Sequence, residues 1–254
     1  MYTKLNHKSS ALPLLFENLK CETYTLNYLS HSITSSLTEE SWVNIDDTMM
    51  TSSGHIQFDI RKIVHLDKID YALAKTIHLF FENGSTLSLD LQAEQTETAS
   101  YILKSLEEDA THEKFIPHTA SPPCPCCQKQ AEKVRLKTES HPIAMMLDYA
   151  RRAKLTLQCE ITNCGVSSNH LSKLETLNFH KGIATLQGLA LIDLDLAFIH
   201  SAHLSKQTID EQPYTKLLAF NPHGLLSFSI AAEGTSVFQT WKTMLESNWN
   251  LQTN

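Results

Sequence analysis

A chain of 254 residues can form two ordinary domains or one large one, each able to bury a real core. Its formal charge of -7 and isoelectric point near 6.0, with no Lys/Arg run, argue against a nucleic-acid binder that works by neutralising phosphates. The longest apolar stretch, Gly188 to Ile199, is broken by Asp193 and Asp195, so no membrane span is expected.

Near the N-terminus Lys4 and Lys8 precede the apolar run Ala11 to Phe16, which contains Pro13 and is too short for the core of an export signal. The expectation is a cytoplasmic protein whose six cysteines are reduced thiols rather than a disulfide framework.

Ser53-Gly54-His55 leads into the alternating set Ile56/Phe58/Ile60, which predicts a strand. From Thr76 to Leu91 the pattern is a hairpin: an apolar run ending in Phe80-Phe81, a turn at Glu82-Asn83-Gly84-Ser85, then Leu87, Leu89 and Leu91 alternating with Ser88 and Asp90. Ala99, Ile102, Leu103 and Leu106 then follow helical spacing. Between 111 and 140 periodicity is lost and Pro117, Pro122, Pro123 and Pro125 collect among charges, the composition of a linker.

The second half opens on Pro142, the favoured first residue of a helix, with Ile143, Met146, Leu147 and Ala150 as its buried stripe. A strand at Leu155/Leu157/Cys159/Ile161 closes on Thr162-Asn163-Cys164-Gly165. Ile192/Leu194/Leu196/Phe198 predict another strand. Asn221-Pro222-His223-Gly224 then turns the chain into Leu226/Phe228/Ile230, and Phe238, Trp241 and Leu245 follow on a helix. The strand and helix of this half stand at one common offset from those of the first, the mark of an internal repeat.

The reading is an α+β fold of two tandem repeats, each an antiparallel β-sheet with flanking helices: a first repeat over 1–110, the linker over 111–140 and a second repeat over 141–254. A tandem pleckstrin-like pair shares this grammar and is the rival fold.

Several of these segments resemble the bacterial haem-utilisation proteins of the HemS and ChuX/HutX type, in which a sheet-and-helix unit occurs singly or duplicated. Ile161-Thr-Asn-Cys-Gly-Val166 with His170, Gly188 to His200, and Phe220 to Trp241 are similar to the family's second repeat. Ser53-Gly-His-Ile56 and Phe80-Phe-Glu-Asn-Gly84 are similar to pieces of the single-unit members. The resemblance implies haem as cofactor, a haem donor or acceptor protein as partner, a monomer or homodimer, and haem breakdown as the sole enzymatic option. The sequence departs from the family where a basic Gly-Lys-Arg stretch reads Ala231-Ala-Glu-Gly234, and where an Arg after the apolar His reads Ser201-Ala202. Propionate binding there loses its cations.

Neutral imidazole is a competent axial ligand to haem iron, and His170, His141, His55 and His200 lie in or beside the resembling segments. His141 immediately before Pro142 also suits a helix cap. Cys124-Pro-Cys-Cys127 places three thiols close together, and Cys124, Cys126 and Cys127, together with Cys159 and Cys164, are candidates for zinc, for a redox or incidental metal role or for an inert linker. No Gly-x-Ser-x-Gly, His-Glu-x-x-His or phosphate loop occurs, so hydrolytic catalysis has no support. The alternative to haem handling is a non-catalytic protein-interaction module on the same scaffold.

Overall fold

The computed structural model describes residues 11–38, 40–71, 74–82, 84–92, 124–163, 165–209 and 211–249. The helix expected at Ala99 to Leu106, residues 111–123 of the expected linker, Asn83 and Cys164 lie outside the described residues. The chain divides into two compact units: residues 1–29, 33–120 and 163–168 form the first, and residues 30–32, 121–162 and 169–254 the second.

The first unit begins with helix α1 (Ala11–Asn18), strand β1 (Cys21–Tyr28) and strand β2 (His31–Ser36), the last from Ile33 onward. A meander of β3 (Trp42–Ile45), β4 (Thr48–Thr51) and β5 (Ile56–Asp59) follows, then a 3-10 turn at Ile60–Lys62. Strands β6 (Ile63–Tyr71), β7 (Ala74–Phe81) and β8 (Thr86–Leu91) complete it, with antiparallel order β6-β7-β8-β1. Its core is aromatic. Phe58 meets Phe16, Trp42 and Phe81 edge-on, at centroid distances of 5.0, 5.6 and 6.1 Å.

The second unit contains helix α2 (Pro125–Leu136), a 3-10 turn at Thr138–Ser140, and helix α3 (Pro142–Arg152). Strand β9 (Thr156–Thr162) comes next, then β10 (Val166–Lys173), which belongs to the second unit from Asn169 onward, then the meander β11 (Thr176–His180), β12 (Ile183–Gln187) and β13 (Leu191–Asp195). A 3-10 turn at Leu196–Phe198 leads to β14 (Ser201–Ile209), β15 (Gln212–Phe220), β16 (Leu226–Glu233) and helix α4 (Thr235–Trp249). The antiparallel order β14-β15-β16-β9 repeats that of the first unit.

The duplication reaches single hydrogen bonds. Gly84 N–H donates to the Phe81 carbonyl and Phe81 N–H to that of Ser85; Gly224 N–H donates to Asn221 and Asn221 N–H to Leu225 in the same pattern. Both glycines have positive φ, 82° and 74°, which an L side chain resists. Asp59 caps the first 3-10 turn by accepting from Arg61 N–H, and Asp195 caps the second by accepting from Ala197 N–H.

Three expectations change in detail. Ile56 and Phe58, like Ile192 and Leu194, alternate in a strand as expected, but Ile60 in the first half and Leu196 and Phe198 in the second belong to 3-10 turns, because the Asp59 and Asp195 caps end the strands. Ser227 and Ser229 are buried along with Phe228 and Ile230, so β16 is covered on both faces. Residues 125–136, which composition placed in a linker, are helical: Pro125 starts α2 without a lost hydrogen bond, and Ala131 and Val134 are buried one turn apart. Among the described residues no helix is long and apolar enough to cross a membrane.

Candidate functional site

Helix α2 starts abruptly, with Cys124 extended at φ -60° and ψ 160° and Pro125 at the first helical position. That geometry winds Cys124, Cys126 and Cys127 into one turn. Their three Sγ atoms lie within 4.8 Å of one another. Cys124 Sγ and Cys127 Sγ are 3.3 Å apart, and Cys127 Sγ stands 3.7 Å from Nδ1 of the exposed His200, brought in by the segment after the Leu196–Phe198 turn. Hydrogen bonds from Cys126 and Cys127 pull the Cys124 thiol down to about 7, while burial pushes that of Cys127 up to about 12.

Below these thiols lies a cavity of about 420 Å³ between α2, the second 3-10 turn and the β15–β16 turn. Cys127, Ala131 and Arg135 line it from the helix, Asp195 and Phe198 from the 3-10 turn and Pro222 from the hairpin. Gly182 adjoins the lining residues Ala197 and Arg135; its N–H donates to Thr138 Oγ1 at 2.8 Å and its carbonyl accepts from Leu196 N–H at 2.8 Å. Gly182 has φ +92°, and a Cβ there would meet Ala197 Cβ at 2.8 Å and Arg135 Cγ at 3.0 Å, so only glycine lets α2 lie this close to the turn. Burial pushes the Asp195 carboxyl above the ordinary carboxylate range, against the opposing pull of Arg135.

Of the four histidines singled out in the sequence, only His200 belongs to this site. His141 is 1% exposed and caps α3, its Nδ1 accepting from Ile143 N–H at 3.2 Å. That bond leaves the ring proton on Nε2, and burial lowers the pKa to about 4. His170 is buried on β10, on the inward face it shares with Val166 and Ser168. His55 belongs to the first unit, where Nδ1 lies 3.8 Å from Glu40 Oε1. Cys159 is buried in β9, where burial raises its thiol to about 12, and it is not among the grouped sulphurs. Arg135, Asp195 and Gly182 carried no signal in the sequence, since each acquires its role only when α2 packs against the 3-10 turn.

No protein-family model matches the chain, and no curated protein matches it in sequence. In fold it is similar to apo-PhuS, a haem-binding protein from Pseudomonas aeruginosa, with a TM-score of 0.66 at 12% identity over 97% of this chain and 86% of that one. It is also similar to ChuS, an E. coli haem oxygenase, with a TM-score of 0.64 at 11% identity over 97% of this chain and 88% of that one. At 97% coverage these matches extend over both units, and the chain has the duplicated α+β fold of the HemS type that its sequence resembles.

Proposed function

We propose that the chain binds haem in the second-unit cavity, with His200 as the axial ligand, and hands it on between a donor and an acceptor protein in the cytoplasm. The observation that carries this reading is the exposed imidazole of His200, 3.7 Å from the lining residue Cys127 of a cavity with an apolar side (Ala131, Phe198, Pro222) and one cationic wall residue, Arg135. The setting is a fold shared with proteins described as haem-binding and as a haem oxygenase.

The chemistry of the donor set suits the cofactor. With Nδ1–H of His200 donating to Cys127 Sγ, the ring is oriented and Nε2 keeps its lone pair for iron, the usual division of labour in a ligating histidine. His141 is poorly placed for the same task, because freeing Nδ1 to carry the proton breaks the α3 cap at a cost of about 1 kcal/mol. Arg135 offers a charge-assisted hydrogen bond to one propionate. Glu132 and Asp195 in the same wall oppose that attraction, which suits release more than tight storage. Bound haem would supply the iron and any oxidation chemistry, the protein giving the ligand, the apolar wall and the propionate contact.

Titration of the apo-protein with ferric haem tests this reading. The expected outcome is a sharpened, shifted Soret band saturating near one equivalent, and ready loss of haem to an apo-acceptor. A featureless rise in absorbance, the same as that of free haem, would leave the interaction-module reading in its place.

A further inference from the structure

We propose that Cys124, Cys126 and Cys127 form a binding site for a thiophilic metal cation of the zinc class, with His200 as the fourth ligand. The geometry is close to what such a site needs. A tetrahedral zinc with Zn–S near 2.3 Å and Zn–N near 2.05 Å has S···S edges of about 3.8 Å and S···N edges of about 3.6 Å. Here Cys124 and Cys127 are 3.3 Å apart, Cys127 Sγ and His200 Nδ1 are 3.7 Å apart, and all three sulphurs fall within 4.8 Å of one another. Cys124 and Cys126 are exposed and Cys127 half-buried, so closing the remaining gaps takes side-chain rotation and no change in the core.

The ligand types select the metal. Three thiols and one imidazole are a soft donor set that rejects calcium and magnesium and suits zinc or cobalt. Binding is balanced by proton loss: three S–H groups give up as many as three protons as three metal–sulphur bonds form, and the complex of a divalent ion carries one negative charge. That charge sits at the start of α2, where the helix dipole favours it. The site does not depend on haem. It competes with haem, because a metal that takes His200 withdraws the imidazole proposed for iron.

The test uses the full chain, reduced and metal-free, with no haem present. Zinc is titrated in competition with a chromophoric chelator, and cobalt is used as the spectroscopic probe. One equivalent of zinc is expected to be retained with release of protons. Cobalt should give the intense visible bands of a tetrahedral ion and a near-ultraviolet thiolate charge-transfer band. Cys124→Ser, Cys126→Ser and Cys127→Ser should each lose stoichiometric binding with the circular dichroism spectrum unchanged, and His200→Ala should keep the charge-transfer band while its visible bands shift. A pale octahedral cobalt spectrum, or zinc retention unaffected by the serine substitutions, would overturn the proposal. So would a Cys124–Cys127 disulfide that persists in reductant and excludes the metal. Haem titration of the Cys124→Ser/Cys126→Ser double variant, which keeps Cys127 and His200, separates failure here from failure of the haem reading.

Discussion

His31 Nδ1 accepts a hydrogen bond from the backbone N–H of Asp195 at 2.9 Å, with its ring edge-on to Phe228 at a centroid distance of 5.1 Å. The ring is 1% exposed, and burial lowers its pKa to about 3, as it lowers that of His141 to about 4. Both must stay neutral in the folded chain, whereas in the unfolded chain they take a proton near pH 6.5.

The sign of the pH dependence follows. Below about pH 6.5 the unfolded state binds more protons than the folded one, so stability falls with acid down to the folded-state values, by as much as about 1.4 kcal/mol per pH unit for each histidine. Urea unfolding measured from above neutrality down to about pH 5 should show the loss beginning near pH 6.5, with a shallower slope in His31→Gln. Stability that stays level across that range would contradict neutral burial of both rings.

Gly182 and Gly224 both have positive φ but differ in what surrounds them. Gly224 has open space at the Cβ position, so Gly224→Ala should cost about 1 to 2 kcal/mol from backbone strain alone. Gly182→Ala adds a collision with Ala197 and Arg135, and should cost more and displace α2 from the 3-10 turn. Comparing the two denaturation midpoints checks this order; equal costs would mean that α2 does not need the close approach.

Trp241 is 1% exposed on α4, a helix that packs against β14, β15 and α3. Trp241→Ala should destabilise the chain by about 3 to 5 kcal/mol, read from chemical denaturation. A change under about 1 kcal/mol would mean that the cavity collapses without penalty or that this helix face is not part of the core.

Much of the scaffold was legible because it rests on period-2 burial. Leu87, Leu89 and Leu91 alternate as written in the sequence and are buried at 0, 0 and 6% exposure, and Leu157, Cys159 and Ile161 behave likewise. Where the expectation slipped, a local polar contact or a second covering layer overrode the pattern. The Asp195 cap turned Leu196–Phe198 into a 3-10 turn, and burial of Ser227 and Ser229 hid the polar face of β16. Helix α2 escaped notice because only Ala131 and Val134 are buried among its charges. The pairing of Cys127 with His200 could not be read at all, since the two are 73 residues apart and meet only through the packing of α2 on the turn before β14.

The most direct measurement of the haem reading compares ferric-haem Soret titrations of the wild-type chain, His200→Ala and His141→Ala, all kept reduced and metal-free. His200→Ala should abolish the specific band or move it to that of a weakly ligated iron, because the strong-field nitrogen beside the cavity is gone. His141→Ala should keep the band while losing about 1 kcal/mol of stability with the α3 cap. A Soret band that survives His200→Ala unchanged and disappears in His141→Ala would contradict the assignment and move the iron to the start of α3.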